Sequence, residues 1–260
     1  MGCRLTRPTE TTIRCEGKLK PGAYGIDGSI SSQFVTGLLF ALSLINGETC
    51  LEITGKQESK PYIDMTRSAM ELFSAPAFHS PGRVEVEGDW SNGAFFLAAR
   101  ALGNDLSVTN LNPRSAQGDR MVTQLLPALE KHIHIDAADI PDLVPILVVV
   151  AAAKEGAVFT NIRRLRLKES DRVMAVEDLV QSLGGKTAST ENELTVYGTG
   201  LSGGTVNSYN DHRIAMAAAI AATVCSDPVT ILGAEAVNKS YPSFWNEYCK
   251  LGGHYEQYLR

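Results

Sequence analysis

One arrangement of residues recurs four times along this chain. Each copy begins with a polar turn that contains aspartate, continues as an apolar helix rich in alanine and leucine, and ends with a short turn and a β-branched strand. The copies span residues 27–55, 87–112, 139–163 and 210–234. Apolar helices that alternate with β-branched strands at this spacing are typical of βαβ-type units. The pattern therefore predicts an α/β protein built from repeated units.

A second, more polar helix follows each copy. These helices are predicted at residues 62–73, 118–129, 168–183 and 243–251. The first helix of each copy is apolar on nearly all sides and is expected in the interior, whereas the second carries its charges on one side and is expected outside. Turn residues around Pro76 and Pro81 bracket a predicted strand at residues 83–86, and we expect a domain boundary near there.

Charge and composition exclude several classes of function. The formal net charge of −5 and a pI near 5.6 provide no overall basic field for nucleic acid, so an anion site must come from a local cluster of lysines and arginines. The longest apolar run, residues 143–153, is too short to span a bilayer. The five cysteines are scattered without CxxC or metal-ligand spacing, which is typical of a cytoplasmic protein.

The polar turns at the helix starts hold more charged groups than helix capping needs. Asp211 can cap the fourth apolar helix, but Arg213 begins an otherwise apolar helix and needs an anionic partner. A guanidinium at a helix N-terminus binds phosphate or carboxylate well, although a structural Arg–Asp pair would give the same pattern. Pro141 suits the first turn of the third helix. Asp142, just inside that helix, either favours the helix dipole or is a base that faces a cleft.

Residues 163–172 form the densest charged cluster. A run of charges is usually a solvated face, but Lys168 and Arg172 are four residues apart and are predicted to share one face of a helix, with Glu169 adjacent. Such a face can hold a dianion between two cations and keep a carboxyl acid close to it.

Uncharged hydrogen-bonding groups begin three other helices. Ser31, Ser32 and Gln33 start the first apolar helix with two hydroxyls and an amide, which suit a phosphate ligand. Residues 59–64 and 238–242 begin outer helices in a similar way. Each of these signals is weak by itself.

Taken together and in this order, the motifs resemble the 5-enolpyruvylshikimate-3-phosphate synthase family of enolpyruvyl transferases. The matching strings are DGSISSQF, SKPYIDMT, EGDWSNGAFFLAA, the IPD turn, LRLKESDR, YNDHRIAMA and NKSYPSF. The resemblance implies an α/β fold of two similar domains, each made of three βαβαββ units in an inside-out barrel. About four of the six units are present, so residues 1–86 are expected to be the remnant of a first domain and residues 87–260 a complete second domain. Two more units would add roughly 120 residues, and we expect the chain to be truncated at its N-terminus.

The resemblance also implies a reaction and a set of site residues. The enolpyruvyl group of phosphoenolpyruvate would pass to the 5-hydroxyl of shikimate 3-phosphate by addition and elimination, releasing phosphate without a metal or organic cofactor. Asp142 would be the base for the hydroxyl, Glu169 the acid for the methylene carbon, and Lys168 a bridge between the substrates. The implied ligands of shikimate 3-phosphate are Ser31, Ser32, Gln33, Ser59, Tyr62, Asp142 and Lys168. Those of phosphoenolpyruvate are Gln33, Arg172, Arg213 and Lys239.

The chain departs from the family pattern in two ways. Arg164 replaces an asparagine with which some members contact the substrate. The family's N-terminal part, which supplies further cationic groups and a glycine-rich loop, is not recognised here, so the chain alone is expected to be inactive.

Three alternatives remain open at this stage. In the first, the chain is a non-catalytic or complementing half-protein. In the second, it dimerises through apolar surface uncovered by truncation. Less favoured is an enolpyruvyl transferase that acts on UDP-N-acetylglucosamine, because SKPYID, KESDR and NDHR favour the shikimate enzyme.

Overall fold

The computed structural model describes residues 2–258. The chain divides into two compact units, with the boundary in the sequence between Glu85 and Val86. The predicted domain ranges also include residue 1 and residues 259 and 260, which lie outside the described part. None of the helices in residues 2–258 combines the length and the apolar character that crossing a membrane requires.

The first unit contains a hairpin followed by a βαβα segment. Its elements, in chain order, are β1 (Cys3–Thr9), β2 (Thr12–Gly17), β3 (Gly22–Asp27), α1 (Ser32–Ser43), β4 (Thr49–Thr54) and α2 (Lys60–Leu72). Strands β1 and β2 pair antiparallel, β3 and β4 pair parallel, and α1 packs against α2. A helix that connects two parallel strands is the βαβ arrangement predicted for the first repeat.

Few apolar side chains of the first unit are buried. Among its described residues, the buried apolar side chains are those of Val35, Leu42 and Ile63. Helix α1 has no charged residue, yet Phe34 and Phe40 on it are 56% and 43% exposed. The prediction of an interior position for α1 is therefore wrong in this structure, because within the described part of this unit only α2 and β4 pack closely against it.

The second unit contains the other elements. Its helices are α3 (Trp90–Ala101), α4 (Val122–Ala128), α5 (Val144–Ala153), α6 (Arg172–Ser182), α7 (His212–Ala221) and α8 (Phe244–Lys250). Its strands are β5 (Ile133–Asp136), β6 (Gly156–Thr160), β7 (Lys186–Ser189), β8 (Glu193–Tyr197), β9 (Gly204–Asn207) and β10 (Val229–Leu232). Three 3-10 turns cover Gly118–Met121, Arg163–Leu167 and Ala234–Lys239.

A βαβαββ unit is complete between β5 and β8. Its four strands form one sheet in the order β5-β6-β8-β7, in which β5 and β6 are parallel and β8 is antiparallel to both of its neighbours. Strands β9 and β10, joined through α7, form a separate parallel pair. This part of the chain confirms one complete βαβαββ unit and a second βαβ segment.

The apolar helices α3, α5 and α7 pack against one another in the core of the second unit. Every residue of α7 is buried, as is every residue of α5 from Val144 to Ala152. Burial of a valine, leucine or isoleucine side chain stabilises a fold by about 1.5–3 kcal/mol, so these helices are held firmly. The polar residues that precede α5 and α7 are positioned by this packing.

The outer helices begin and end close to the predicted residues, with one important exception. Lys168 has extended backbone (φ −88°, ψ −158°), and α6 begins only at Arg172. The helix begins there because the Asp171 side chain accepts a hydrogen bond from the backbone N–H of Met174, at 3.1 Å, and so caps it. The prediction that Lys168 and Arg172 share one helix face is therefore wrong.

The second repeat lacks its predicted strands. In the described chain, residues 83–86 and 106–110 on either side of α3 are not in strand conformation. A backbone hydrogen bond of 3.1 Å from Gly88 N–H to the Asn110 carbonyl joins the two flanking segments. A strand is defined by a ladder of such bonds, and β-branched residues alone do not supply one.

Candidate functional site

Six charged side chains from the starts of α5, α6 and α7 meet in the second unit. We refer to them as the charged cluster: Asp142, Lys168, Glu169, Arg172, Asp211 and Arg213. Since three of them are cations and three are carboxylates, the formal charges of the cluster balance.

Asp142 lies at the centre of the cluster. It belongs to the turn before α5 and not to the helix itself, because α5 begins at Val144. Its Oδ1 accepts a hydrogen bond of 2.6 Å from Arg172 Nη1, and its Oδ2 accepts one of 3.1 Å from Arg213 Nη2. Lys168 Nζ lies 3.9 Å from Oδ1. Three cations therefore converge on one carboxylate.

Arg172 is the most buried charge of the cluster, with a side chain that is 0% exposed. In addition to Asp142, its Nε donates to Asp211 Oδ2 at 2.9 Å and its Nη2 donates to Glu169 Oε2 at 2.5 Å. Burial of an ion is costly unless hydrogen bonds to opposite charges compensate for the lost water. Three carboxylates provide that compensation.

Asp211 connects the cluster to the start of α7. Its Oδ1 caps the helix by accepting from the backbone N–H of Arg213 at 2.9 Å, while its Oδ2 accepts from Arg172 and, at 3.1 Å, from the Ser170 hydroxyl. The two preceding residues, Tyr209 and Asn210, have left-handed backbone with φ of 52° and 56°. Such conformations cost free energy and persist where the surrounding structure requires them.

Arg213 has a hydroxyl partner as well as a carboxylate. Its Nη1 donates to Ser91 Oγ in the first turn of α3, and its Nη2 donates to Asp142. Arg213 is only 8% exposed, and its Nε has no hydrogen-bond partner among the described residues. One donor of this guanidinium is therefore buried without a partner among the described residues.

The environment of the cluster shifts its pKa values. Burial alone would raise the pKa of the Asp142 carboxyl, but the charges of Arg213, Arg172 and Lys168 hold it well below its ordinary value. The pKa of Lys168 is lowered by burial and by the charges of Arg172 and Arg164, which outweigh the effect of Asp142. Asp142 is therefore firmly ionised, while the ammonium of Lys168 loses its proton more readily than an exposed lysine does.

Lys239 and Arg164 lie at the margins of this arrangement. Lys239 ends the third 3-10 turn and donates a hydrogen bond to the backbone carbonyl of Asn210, next to Asp211. The following residue, Ser240, exchanges hydrogen bonds with Asn92 at the start of α3. Arg164 lies in the second 3-10 turn, from which its charge acts on Lys168.

The remaining predicted site residues belong to the first unit. Ser31 caps α1 by accepting from the backbone N–H of Gln33 at 3.2 Å. Ser59, which is buried, precedes α2 in a left-handed conformation with φ 52°. Ser32, Gln33 and Tyr62 line a groove of about 490 Å³ between α1 and α2, together with Thr36, Gly37, Phe40, Met65, Thr66 and Ala69. All five predicted ligands in this unit are therefore at or near the starts of the two helices.

Comparison with known proteins assigns the chain to a family. A sequence profile described as EPSP synthase (3-phosphoshikimate 1-carboxyvinyltransferase) matches residues 5–248. The chain belongs to the EPSP synthase family. A 3-phosphoshikimate 1-carboxyvinyltransferase of Clostridium acetobutylicum is 40% identical over 93% of the chain, and one of Clostridium kluyveri is 37% identical over 97%. The chain spans 64% and 67% of the lengths of these two relatives.

Solved structures show the same fold as this EPSP synthase family member. An EPSP synthase from Acinetobacter baumannii matches 97% of the chain with a TM-score of 0.73 and 24% identity, and the chain covers 68% of it. The enolpyruvyl transferase NikO from Streptomyces tendae matches 97% of the chain with a TM-score of 0.64 and 15% identity, and 69% of it is covered. At these identities the likeness concerns the fold alone.

Two contacts of the EPSP synthase family member were not predicted from its sequence. Asp211 was interpreted as a helix cap, and its ion pair with Arg172 was missed because the two residues are 39 positions apart. Ser91 was not singled out, although it is a serine in the first turn of α3, two residues after the capping Asp89. The signal available in the sequence was a serine hydroxyl beside an aspartate that already caps the helix.

Proposed function

We propose that this chain carries the catalytic carboxylates and the cationic clamp of a 3-phosphoshikimate 1-carboxyvinyltransferase. The reaction transfers the enolpyruvyl group of phosphoenolpyruvate to the 5-hydroxyl of shikimate 3-phosphate and releases phosphate. The observation that supports it best is the charged cluster, in which three carboxylates and three cations lie within contact distance. The Clostridium relatives are 3-phosphoshikimate 1-carboxyvinyltransferases, which supports the same reaction and not the UDP-N-acetylglucosamine alternative.

Each step of the reaction has a candidate group in the cluster. Asp142 accepts the proton of the 5-hydroxyl as its oxygen bonds to the central carbon of phosphoenolpyruvate, and Glu169 gives a proton to the methylene carbon. Glu169 suits this role because its side chain is 43% exposed while it is bonded to Arg172. In the second step Glu169 takes a proton back from the methyl carbon, Asp142 returns its proton to the leaving phosphate, and the carbon–oxygen bond to phosphate breaks as the double bond forms again. Lys168, Arg172, Arg213 and Lys239 offset the charge of the leaving phosphate.

The candidate ligands of shikimate 3-phosphate in the first unit are neutral groups. Ser31, Ser32, Gln33, Ser59 and Tyr62 offer hydroxyls and an amide, and none of them carries a positive charge. A phosphate dianion is bound more strongly by guanidinium or ammonium groups than by neutral donors. We therefore propose that this chain alone binds shikimate 3-phosphate weakly and is inactive until a second polypeptide supplies further cations.

The exposed apolar surface of α1 supports this dependence on a second polypeptide. Helices α5 and α7 of the second unit are uncharged or nearly so and are buried on all sides, whereas the uncharged α1 exposes Phe34 and Phe40. Exposed apolar patches of this kind are typical of interaction sites. Dimerisation of the chain through the same surface is the competing outcome, and light scattering of the purified chain distinguishes a monomer from a dimer.

The scattered cysteines support a cytoplasmic location.

Phosphate release tests the proposed function. The purified chain is incubated with phosphoenolpyruvate and shikimate 3-phosphate, with and without a fragment carrying the N-terminal part of the Clostridium acetobutylicum relative. We expect release only when the fragment is present. Glu169→Gln should then lower the rate by about 10²–10⁴-fold, because it removes the acid. Glu191→Gln is the matched control, since Glu191 pairs with Arg163 on the surface.

Three results would contradict parts of the proposal. Turnover by the chain alone would refute the need for a second polypeptide. An active mixture that is indifferent to Glu169→Gln would refute the assignment of the acid. A mixture that uses UDP-N-acetylglucosamine in preference to shikimate 3-phosphate would refute the substrate.

A further inference from the structure

The two arginines of the charged cluster each have one enclosed partner and at least one partner that solvent can reach. Arg172 is bound by Asp211, which is 0% exposed, and also by Asp142 and Glu169, whose side chains are 16% and 43% exposed. Arg213 is bound by the buried hydroxyl of Ser91 and by Asp142. The partners therefore differ in exposure: Asp211 and Ser91 are buried, whereas Asp142 and Glu169 are partly exposed.

Asp142 is the partly exposed partner that both arginines share. Its two oxygens accept one hydrogen bond from each guanidinium, and the ammonium of Lys168 lies on the same side at 3.9 Å from Oδ1. Two guanidiniums and an ammonium around two oxygens are the arrangement in which proteins bind a carboxylate or phosphate ligand. In this structure the carboxylate comes from the protein itself.

We infer that Asp142 is the resident occupant of the anion site formed by Lys168, Arg172 and Arg213, and that an anionic ligand binds by displacing it. Ser91 is the positioning residue that keeps Arg213 in place during the exchange. The inference rests on the proposed function in one respect, which is that the anion is the carboxylate or phosphate group of phosphoenolpyruvate.

The exchange links ligand binding to the readiness of a base. While Asp142 accepts hydrogen bonds from two arginines, its ionised form is too well stabilised to remove a proton from a hydroxyl. When the ligand takes over the guanidiniums, the carboxylate loses these partners and becomes more basic. Linkage is reciprocal, so a group that competes with the anion must weaken its binding by the same free energy. Removal of the Asp142 charge should therefore strengthen binding.

Calorimetric titration with phosphoenolpyruvate alone tests this competition. We expect Asp142→Asn to bind at least about tenfold more tightly than the unaltered chain, which corresponds to about 1.4 kcal/mol. Asp178→Asn is the matched control: Asp178 lies on α6 and accepts a hydrogen bond from the Tyr209 hydroxyl at 3.2 Å, outside the cluster. Equal or weaker binding by Asp142→Asn, or no measurable binding by either protein, would overturn the inference.

A measurement on the unaltered chain keeps the test valid if Asp142→Asn does not fold. The pKa of Asp142 is followed by carbon-detected NMR of aspartate carboxyl groups, before and after phosphoenolpyruvate is added. The charged groups that act on Asp142 are Lys168 and Arg172 from the α6 side and Arg213 from α7. We expect the pKa of Asp142 to rise on addition of the ligand, because the guanidiniums then donate their hydrogen bonds to the ligand and not to Asp142. An unchanged or lower pKa would mean that Asp142 keeps both partners.

The positioning role of Ser91 has its own readout. Ser91→Ala should weaken binding of phosphoenolpyruvate several-fold, since Arg213 would lose the hydroxyl that holds its guanidinium. Ser91→Thr, which retains the hydroxyl, should restore it. Ser115→Ala removes another buried serine hydroxyl of the second unit and should leave the affinity unchanged. Undiminished affinity of Ser91→Ala, or failure of Ser91→Thr to restore it, would remove Ser91 from this role.

These binding measurements need neither shikimate 3-phosphate nor turnover. A chain that releases no phosphate even with the N-terminal fragment, but shows the tighter binding of Asp142→Asn, would refute the proposed reaction and retain the displacement. Phosphate release with the fragment, together with equal or weaker binding by Asp142→Asn, would retain the reaction and refute the displacement.

Discussion

At the scale of single residues, Arg172 shows how a charge is held in an apolar interior. Its side chain is fully buried between α5, α6 and α7, and each of its three donor nitrogens is bonded to a carboxylate. The carboxylates of Asp142 and Asp211 raise the pKa of the guanidinium even though burial opposes its charge. The same contacts lower the pKa of Asp211 against the effect of burial. Neither partner is stable in this place without the other.

Removal of the Arg172 charge should destabilise the second unit strongly. We expect Arg172→Met to lower the free energy of unfolding by about 3–5 kcal/mol, because Asp211 would remain as a buried carboxylate without its guanidinium partner. Denaturant unfolding followed by tryptophan fluorescence measures this unit specifically, since Trp90 and Trp245, the two tryptophans of the chain, both belong to it.

Arg163→Met provides the comparison for this loss of charge. Arg163 pairs with Glu191 at the surface, where the two side chains are 74% and 70% exposed, and such pairs contribute about 1 kcal/mol or less. Equal effects of the two substitutions would show that the buried network does not stabilise the fold.

At the scale of helices and strands, the sequence predicted the kinds of element well and their starts less well. Apolar helices such as α5 and α7 were evident because every side is apolar, a property that needs no knowledge of neighbours. The start of α6 was misplaced because Lys168, Glu169 and Arg172 have helix-forming side chains, yet the Asp171 cap decides where the helix begins. Strands around α3 were predicted from β-branched residues, but their hydrogen-bond partners could not be read from one segment.

The Asp89 cap should contribute measurably to the stability of α3. Its Oδ1 accepts from the backbone N–H groups of Ser91 and Asn92, at 2.8 and 3.2 Å. We expect Asp89→Ala to cost about 0.5–2 kcal/mol in the free energy of unfolding, as helix caps generally do. Ser243→Ala is a suitable control, because Ser243 precedes α8 without making a side-chain capping bond. If both variants unfold at the same denaturant concentration, the cap is not responsible for the stability of α3.

At the scale of the whole molecule, the two units differ in how much core they possess. The apolar helices of the second unit bury one another, whereas those of the first unit leave much of α1 and all of β1 and β2 exposed. The sequence could not predict this difference, because α1 has the same apolar pattern as α5 and α7. The charged cluster was equally hard to predict as a contact set, since its members come from three segments and a sequence gives their order but not their proximity.

Hydrogen exchange should reveal the difference between the units. We expect backbone amides of α1 and of the β3–β4 pair to exchange faster than those of α7 and of the β5–β6 pair, because local opening is easiest where few apolar contacts are lost. Comparison of helix with helix and of parallel pair with parallel pair removes the effect of secondary structure. Similar protection in α1 and α7 would contradict the expectation and would indicate that another surface covers α1 in solution.

The double attachment of Asp211 also limits how such a protein can change over generations. One carboxylate both begins α7 and holds Arg172, so a mutation there alters the architecture and the chemistry in a single step. A lineage that needed a differently placed guanidinium would have to find a new helix start at the same time. Variation in ligand preference is therefore more accessible at Arg164 and Lys239, which lie outside that shared attachment.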